Sequence, residues 1–283
     1  MATLSIAVCG AGTMGAGIAQ IAAYSGFKTL LYDIQESGLE KAKAQIEKSL
    51  AGAVSKGKLT VEDQEQTLQR ISYITNINDC VADVIIEAIV EQLPVKIELF
   101  KQLAANNAEN TILASNTSSL SISAIAEGVD NPSRVVGMHF FNPAHLMKLV
   151  EVVSGKQTAP ETADIVYELA LQMGKVPVRV KDSPGFIVNR VARLYYLEAM
   201  RIAEEKGADF SDIDQLLEGV GFKMGPFALM DLIGNDINLA VSQSLYEAFD
   251  EAPRFKPSIL QEQRVKEGKL GRKTGLGFYR YEQ

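Results

Sequence analysis

Apolar and polar positions alternate in two rhythms along the first two thirds of this chain. Leu4-Ser5-Ile6-Ala7-Val8-Cys9 is an apolar, β-prone run, followed by a helical stretch from Ala16 to Tyr24 and a second strand from Lys28 to Tyr32. From Ser37 to Ser55 the apolar residues fall at Leu39, Ala42, Ile46, Leu50 and Val54, the stripe of an amphipathic helix. Thr60 reads as the cap of a second helix, with Asp63 at the capping-box position. Strands are expected at Ile71–Thr75, Val84–Ile89 and Thr111–Ala114, with a helix begun by Pro94 running from Val95 to Asn107. Ser133–His139 and Lys148–Val153 read as two further strands joined through the turn signal Asn142-Pro143. A helix from Glu161 to Met173 and a strand from Val176 to Val180 close the first domain. Strand–helix alternation of this kind predicts an α/β fold, a Rossmann-like doubly wound and mainly parallel sheet, with a helical pair inserted at about residues 37–70.

Asp182-Ser183-Pro184-Gly185 breaks the pattern, so the domains are placed at 1–183 and 184–283. Beyond the break everything is helical. Phe186 to Glu205 is apolar on most of its circumference, which predicts burial on several sides, against the first domain and a partner subunit or within its own domain's core. Ser211 with Asp214 reads as the cap of the next helix. Pro226 suits the first turn of another, which Gly234-Asn235 ends.

The first strand passes directly into Gly10-Ala11-Gly12-Thr13-Met14-Gly15, and the second ends at Asp33. Strand, G-x-G-x-x-G, helix, strand and acid in that order form the dinucleotide-binding βαβ fingerprint. Gly10 permits the tight turn, Gly12 lets the backbone approach a pyrophosphate, and Gly15 lets helix and strand pack closely. Asp33 would bind ribose hydroxyls and repel a 2′-phosphate. Ile34-Gln35 offers no arginine to receive one and Lys28 lies at the far end of the strand, so NAD is expected over NADP.

Folding Ser133–His139 back on Lys148–Val153 about residue 145 sets His139 opposite Glu151 on one side of the sheet. An imidazole oriented by a carboxylate is an acid–base catalyst for neutral pH. The plainer alternative is a core histidine opposite a surface glutamate.

Composition narrows the choices. The net charge of −7 argues against a nucleic-acid partner recruited by bulk electrostatics, and no apolar run reaches the length of a membrane span. The chain enters a strand within four residues, which leaves no room for a leader peptide. Cys9 and Cys80 have no metal-binding spacing, no metal is expected, and two such thiols suit a reducing cytoplasm. Cys9 is expected as a small buried residue of the first strand.

The blocks GAGTMG, EAIVEQLPVK, ASNTSSL, MHFFNPAHLMKLVEV, DSPGFIVNR, GPFALMDLIGND and KTGLGFYRY, in this order, cover nearly the whole chain. Together they resemble the short-chain (3S)-3-hydroxyacyl-CoA dehydrogenase family, and within it the bacterial 3-hydroxybutyryl-CoA dehydrogenases. The resemblance implies NAD-linked interconversion of (3S)-3-hydroxybutanoyl-CoA and acetoacetyl-CoA in a cytoplasmic homodimer joined through the helical domain. It makes His139 the general base and Glu151 its orienting carboxylate, and puts Ser118 and Asn189 on the substrate oxygen. A hydroxyl and an amide there can both donate to developing negative charge. Read without the family, Asn116-Thr117-Ser118-Ser119 is a polar turn with a helix cap. The resemblance also sets Glu91, Lys96, Asn142 and Lys273, with Ser118, beside the nicotinamide half of NAD, and Ser49 and Lys56 against the coenzyme A moiety. The lysines around the inserted helices suit a phosphorylated carrier on an acidic protein. Two positions depart from the family: His145 and Leu194 each replace a usual proline, and the second predicts a straighter helix. Rival readings are a dehydrogenase of a hydroxy acid or sugar acid without coenzyme A, and an idle relative that binds NAD without turnover.

Overall fold

A computed structural model of the protein describes residues 4–282. The chain divides into two compact units, Met1–Ser183 and Pro184–Gln283. The first runs β1 (Ser5–Cys9), α1 (Thr13–Tyr24), β2 (Lys28–Tyr32), α2 (Glu36–Ser55), α3 (Val61–Gln69), β3 (Ile71–Ile74), β4 (Val84–Glu87), α4 (Leu93–Asn106), β5 (Ile112–Ser115), α5 (Ile122–Ala126), β6 (Val135–Phe140), β7 (Leu149–Ser154), α6 (Pro160–Gln172) and β8 (Val176–Lys181). One eight-stranded sheet has the order β3-β2-β1-β4-β5-β6-β7-β8, and only the β6/β7 pair is antiparallel. Its first six strands follow the doubly wound order whose direction reverses between β1 and β4, which opens a crevice at the carboxyl ends of those strands.

Every residue of β4, β5 and β6 is buried, as strands covered by helices on both faces must be. β8 is an edge strand, where Pro177 can dispense with a ladder donor. α2 buries Leu39, Ala42, Ile46 and Leu50 in the same core as α1, while Val54 is half-buried. The capping box of α3 is complete: Asp63 N–H donates to Thr60 Oγ1 at 3.0 Å and Thr60 N–H to Asp63 Oδ2 at 3.0 Å. The helical pair therefore stands where its stripe and cap predicted.

The second unit contains α7 (Val188–Glu204), α8 (Phe210–Gly219), α9 (Pro226–Ile233), α10 (Asn235–Ala248) and α11 (Ile259–Lys266). In the single chain α7 buries Arg193, Tyr196, Leu197, Ala199 and Met200, while Val191 is 67% and Leu194 43% exposed. Apolar residues on the outer face carry no obligation to be covered, and an arginine with enough acceptors can turn inward. The helix runs unbroken past Leu194.

The Ser211/Asp214 cap is corrected by the structure. Asp209 holds the N-cap position of α8 and Ser211 lies within the first turn. Asp214, buried in the second turn, accepts instead from Phe227 N–H and Ala228 N–H at 2.9 Å each and from Tyr279 Oη at 2.9 Å. It caps α9, whose first-turn N–H groups are the free donors that a buried carboxylate needs. α9 stops at Gly234, and Asn235 begins α10 at once. Among the described residues no helix is long and apolar enough to cross a membrane.

Candidate active site

The glycine loop is built by close contacts. Gly10 has φ +103°, its N–H donates to Tyr32 O at 2.8 Å, and a Cβ there would stand 2.7 Å from the Ala88 carbonyl oxygen. A Cβ on Gly15, in the first turn of α1, would fall on the Gly10 carbonyl. Gly12 differs, because nothing lies within 4 Å of where its Cβ would be. It is the N-cap of α1, with no side-chain cap and no acidic residue in the first turn. The first N–H groups of the helix are thus left for an anion. Gly10, Ala11, Gly12, Thr13, Asp33 and Val90 are among the residues lining a cavity of about 1060 Å³. Met14 points away, half-buried against the core.

Asp33 does more than its place in the fingerprint foretold. Its Oδ2 accepts from Ala11 N–H at 2.8 Å and its Oδ1 from Gln35 N–H at 2.9 Å. One carboxylate ties the glycine loop to the turn after β2, and each oxygen keeps a lone pair for a ribose hydroxyl. A cradle with an open Gly12, bare helix N–H groups and a carboxylate beyond it fits an NAD molecule.

A buried charge network stands at the end of β4. Glu87 is fully buried; it accepts from Ser115 Oγ at 2.6 Å and Ile89 N–H at 2.7 Å and pairs with Lys96. Lys96, itself 1% exposed, also lies 3.2 Å from Glu91. Glu91 Oε1 accepts from Thr117 Oγ1 at 2.5 Å, Ser119 Oγ at 3.0 Å and Ser118 N–H at 3.1 Å. Burial works to raise the Glu91 carboxyl, but the Lys96 ammonium and the two hydroxyls outweigh it and hold it below the usual carboxylate range. Glu91, Lys96 and Ser118 are therefore joined. Sequence reasoning missed Glu87, although a glutamate closing an otherwise apolar strand was the available signal. The helix cap of this region is Ser121, two residues beyond the polar turn.

His139 and Glu151 are partners in the β6/β7 register. Both are buried, and Nδ1 lies 2.8 Å from Glu151 Oε2. The acceptor-only carboxylate assigns the proton to Nδ1, which puts the lone pair on Nε2. Phe141 packs on the imidazole with ring centroids 4.4 Å apart, and Phe140 N–H donates to Asn116 Oδ1 at 2.8 Å. The end of β6 is thereby tied to the turn that carries Ser118. Asn142 follows directly, before a cis bond to Pro143.

The remaining candidate residues belong to other elements. Ser49 and Lys56 belong to α2 and its C-cap, and Lys56 is exposed. Ser49 Oγ lies 3.5 Å from Nε2 of His145, whose pKa is lowered by burial and by Lys175. In the second unit, Lys273 Nζ pairs with Asp236 at 2.6 Å, and Asn189 lies in the first turn of α7. Cys9 is buried at the end of β1, its sulfur 3.7 Å from that of Cys80, and both thiols are free. Among the described residues no group of histidine, cysteine, aspartate and glutamate side chains could hold a metal ion.

Residues 5–183 match the family model described as 3-hydroxyacyl-CoA dehydrogenase, NAD binding domain, and residues 185–281 match that of the C-terminal domain. The 3-hydroxyadipyl-CoA dehydrogenase of Escherichia coli (strain K12) is 52% identical over 277 residues, 97% of this chain and 58% of that protein. The probable 3-hydroxybutyryl-CoA dehydrogenase of Deinococcus radiodurans is 43% identical over 280 residues, 98% of this chain and 100% of its own length. The crystal structure of (S)-3-hydroxybutyryl-CoA dehydrogenase from Ralstonia eutropha superposes with a TM-score of 0.95 at 40% identity, covering 100% of both chains. The chain thus spans little more than half of the Escherichia coli relative and the whole of the other two. With both domain models matched in order over nearly its entire length, and an NAD-binding first unit, this chain belongs to the 3-hydroxyacyl-CoA dehydrogenase family.

Proposed function

We propose that the protein is an NAD-dependent dehydrogenase that interconverts short (3S)-3-hydroxyacyl-CoA thioesters, typified by 3-hydroxybutanoyl-CoA, with their 3-keto forms. The observation that carries this reading is the buried His139–Glu151 pair in the same unit as a glycine cradle that fits NAD. NAD, when bound, supplies the hydride chemistry at C3 that no side chain can perform. His139 Nε2 takes the proton of the 3-hydroxyl, and Glu151 steadies the resulting imidazolium. In the reducing direction the imidazolium returns that proton to the oxygen. Ser118 and Asn189, assigned through the family, donate to that oxygen as charge develops on it. Glu91 and Lys96, held by Glu87, with Asn142 and Lys273, are assigned to the nicotinamide half. Ser49 and Lys56 are assigned to coenzyme A, whose phosphates suit the exposed Lys41, Lys43, Lys48, Lys56 and Lys58.

In this reading residues 1–183 bind NAD and residues 184–283 serve substrate binding and dimerisation. Leu216, Val220, Phe222 and Ile237 are each at least half exposed, which supports a homodimer through the helical unit. The protein works in the cytoplasm. The Escherichia coli relative's name favours a second substrate, a six-carbon acyl group ending in a carboxylate. The deciding experiment is NADH oxidation with acetoacetyl-CoA. Reduction of free acetoacetate in its place would show a dehydrogenase independent of coenzyme A, and NADH binding without turnover of either would show an idle relative.

A further inference from the structure

The turn that follows β6 presents a histidine to α2. Leu146 N–H and Met147 N–H both donate to Pro143 O at 2.9 Å, which closes the backbone around His145. The buried Lys175 Nζ donates to Ala144 O at 2.5 Å and Met147 O at 2.9 Å, and so grips the turn on both sides of that residue. Ala144 rests on α1, where a Cβ on Gly17 would stand 3.1 Å from the Ala144 Cβ. Held this firmly, the His145 ring is aimed at α2, and its Nε2 lies 3.5 Å from Ser49 Oγ. A contact of that length is a weak hydrogen bond, so both groups keep the capacity to serve an oxygen placed between them. His145 and Ser49 are each only half-buried, which leaves the pair within reach of a ligand.

The face of α2 that meets this ring leads away from the dinucleotide cavity. Lys41, Gln45, Ser49, Gly52 and Lys56 succeed one another at helical spacing; Lys41 and Gln45 line the cavity, and Lys56 is exposed at the far end. This stripe carries two ammonium groups and no carboxylate, and Lys48 adjoins Ser49. The charge that acts most directly on His145 is also a cation, Lys175, from the residue before β8. Lys148 is the charged residue of its own turn, and α1 has no charged residue at all. Glu47 of α2 acts instead on Tyr73. Burial and Lys175 hold the pKa of His145 below the ordinary 6.5, so the ring is neutral at pH 7 in the free protein. Packing alone does not account for a histidine here. Proline, the family's usual residue, fixes a turn without desolvating an imidazole and offers no donor.

We propose that His145 and Ser49 together read the carrier half of the substrate, with the imidazole donating through Nε2 to a phosphate of coenzyme A. This rests on the proposed dehydrogenase activity and on Ser49's place in it. His145 is then a specificity-determining residue that favours the phosphorylated carrier over a bare thioester. A phosphate beside the ring favours the imidazolium, so binding the carrier draws a proton from solvent to His145. The coupling is reciprocal: affinity for coenzyme A falls as pH rises through the pKa of the liganded ring.

The test titrates the full chain with coenzyme A and follows its two histidines by NMR. The His145 ring, the one that survives in His139→Gln, should have a pKa below 6.5 in the free protein and above it at saturation. Calorimetry at pH 7 in buffers of different ionisation enthalpy should show greater proton uptake by the wild type than by His145→Gln. In steady state, KM for acetoacetyl-CoA should rise roughly tenfold in His145→Leu, the worth of one hydrogen bond to a charged group. The rise should be about threefold in His145→Gln, whose amide can still donate. KM for acetoacetyl-pantetheine, which has no phosphate, should rise much less in either variant. Melting curves identify a variant that has not folded; the wild-type NMR titration then decides alone. Coenzyme A binding that leaves the pKa of the His145 ring unmoved would overturn this inference and leave the dehydrogenase reading standing. An equal rise in KM for both thioesters would also overturn it. Turnover of neither thioester, with no binding of coenzyme A, would overturn both.

Discussion

Glu151 Oε2 stands 2.8 Å from His139 Nδ1 across the only antiparallel step of the sheet, with both side chains buried. The relationship orients the imidazole and assigns its tautomer, and the proposed reaction uses Nε2 as the base. Replacing His139 by Gln should therefore lower turnover by roughly 10²- to 10⁴-fold, the range for a positioned acid–base group. NADH affinity, measured by fluorescence titration, should be nearly unchanged. His145→Gln should cost only a few-fold, because that ring touches Ser49 instead. Activity of His139→Gln within a few-fold of wild type would refute the assignment.

Glu151→Gln tests the orienting half of the pair. An amide in this place can present a donor to Nδ1 and turn the imidazole to the wrong tautomer. Turnover should fall by roughly 10²- to 10⁴-fold, as it does when such a carboxylate is replaced in other imidazole sites. KM for the thioester should change little and circular dichroism should report an intact fold. Equal loss in KM and kcat would point to a structural part instead.

Cofactor choice should follow Asp33. Its carboxylate suits the ribose hydroxyls of NAD and repels a 2′-phosphate, so Asp33→Ser with Gln35→Arg should weaken NADH and improve NADPH together. The bond from Ala11 N–H to Asp33 Oδ2 adds a second consequence. Its loss should cost about 1 kcal/mol of stability, seen as a small drop in Tm. Values of kcat/KM for both cofactors in wild type and variant decide the matter. A wild type that prefers NADPH would overturn the cofactor assignment.

Acid stability should depend on Glu91. Its carboxyl is held below the ordinary value of 4.5 in the folded protein, because Lys96 and the hydroxyls of Thr117 and Ser119 outweigh its burial. On acidification the unfolded chain binds this proton first, so stability rises with pH across that window. The contribution is complete above about 4.5 and fades as pH falls through the depressed native value. Glu91→Gln should be less stable than wild type at pH 7, and the two Tm curves should converge below about pH 4. Parallel curves down to acid unfolding would show that the carboxylate makes no such contribution.

The local elements and the His139/Glu151 pairing were legible in the amino-acid order itself. The reason is range: a strand's two-residue period, one turn of known place and a second strand leave a single register that buries both apolar faces. The glycine loop was legible for a similar reason, since Gly10 and Gly15 answer steric demands made within a few residues or by the strand beside them, while Gly12 leaves the helix N-terminus open. What tertiary structure decided was the fate of buried polar groups. Glu87 finds Ser115 28 positions away, Asp214 accepts from Phe227 N–H 13 positions on, and Arg193 turns inward to Asn238 at a separation of 45. A periodic pattern tells which face of an element is apolar, but not which distant donor or acceptor will meet a polar side chain on that face. Only the packing of whole elements against one another supplies that partner, and with it the burial that makes the partner necessary.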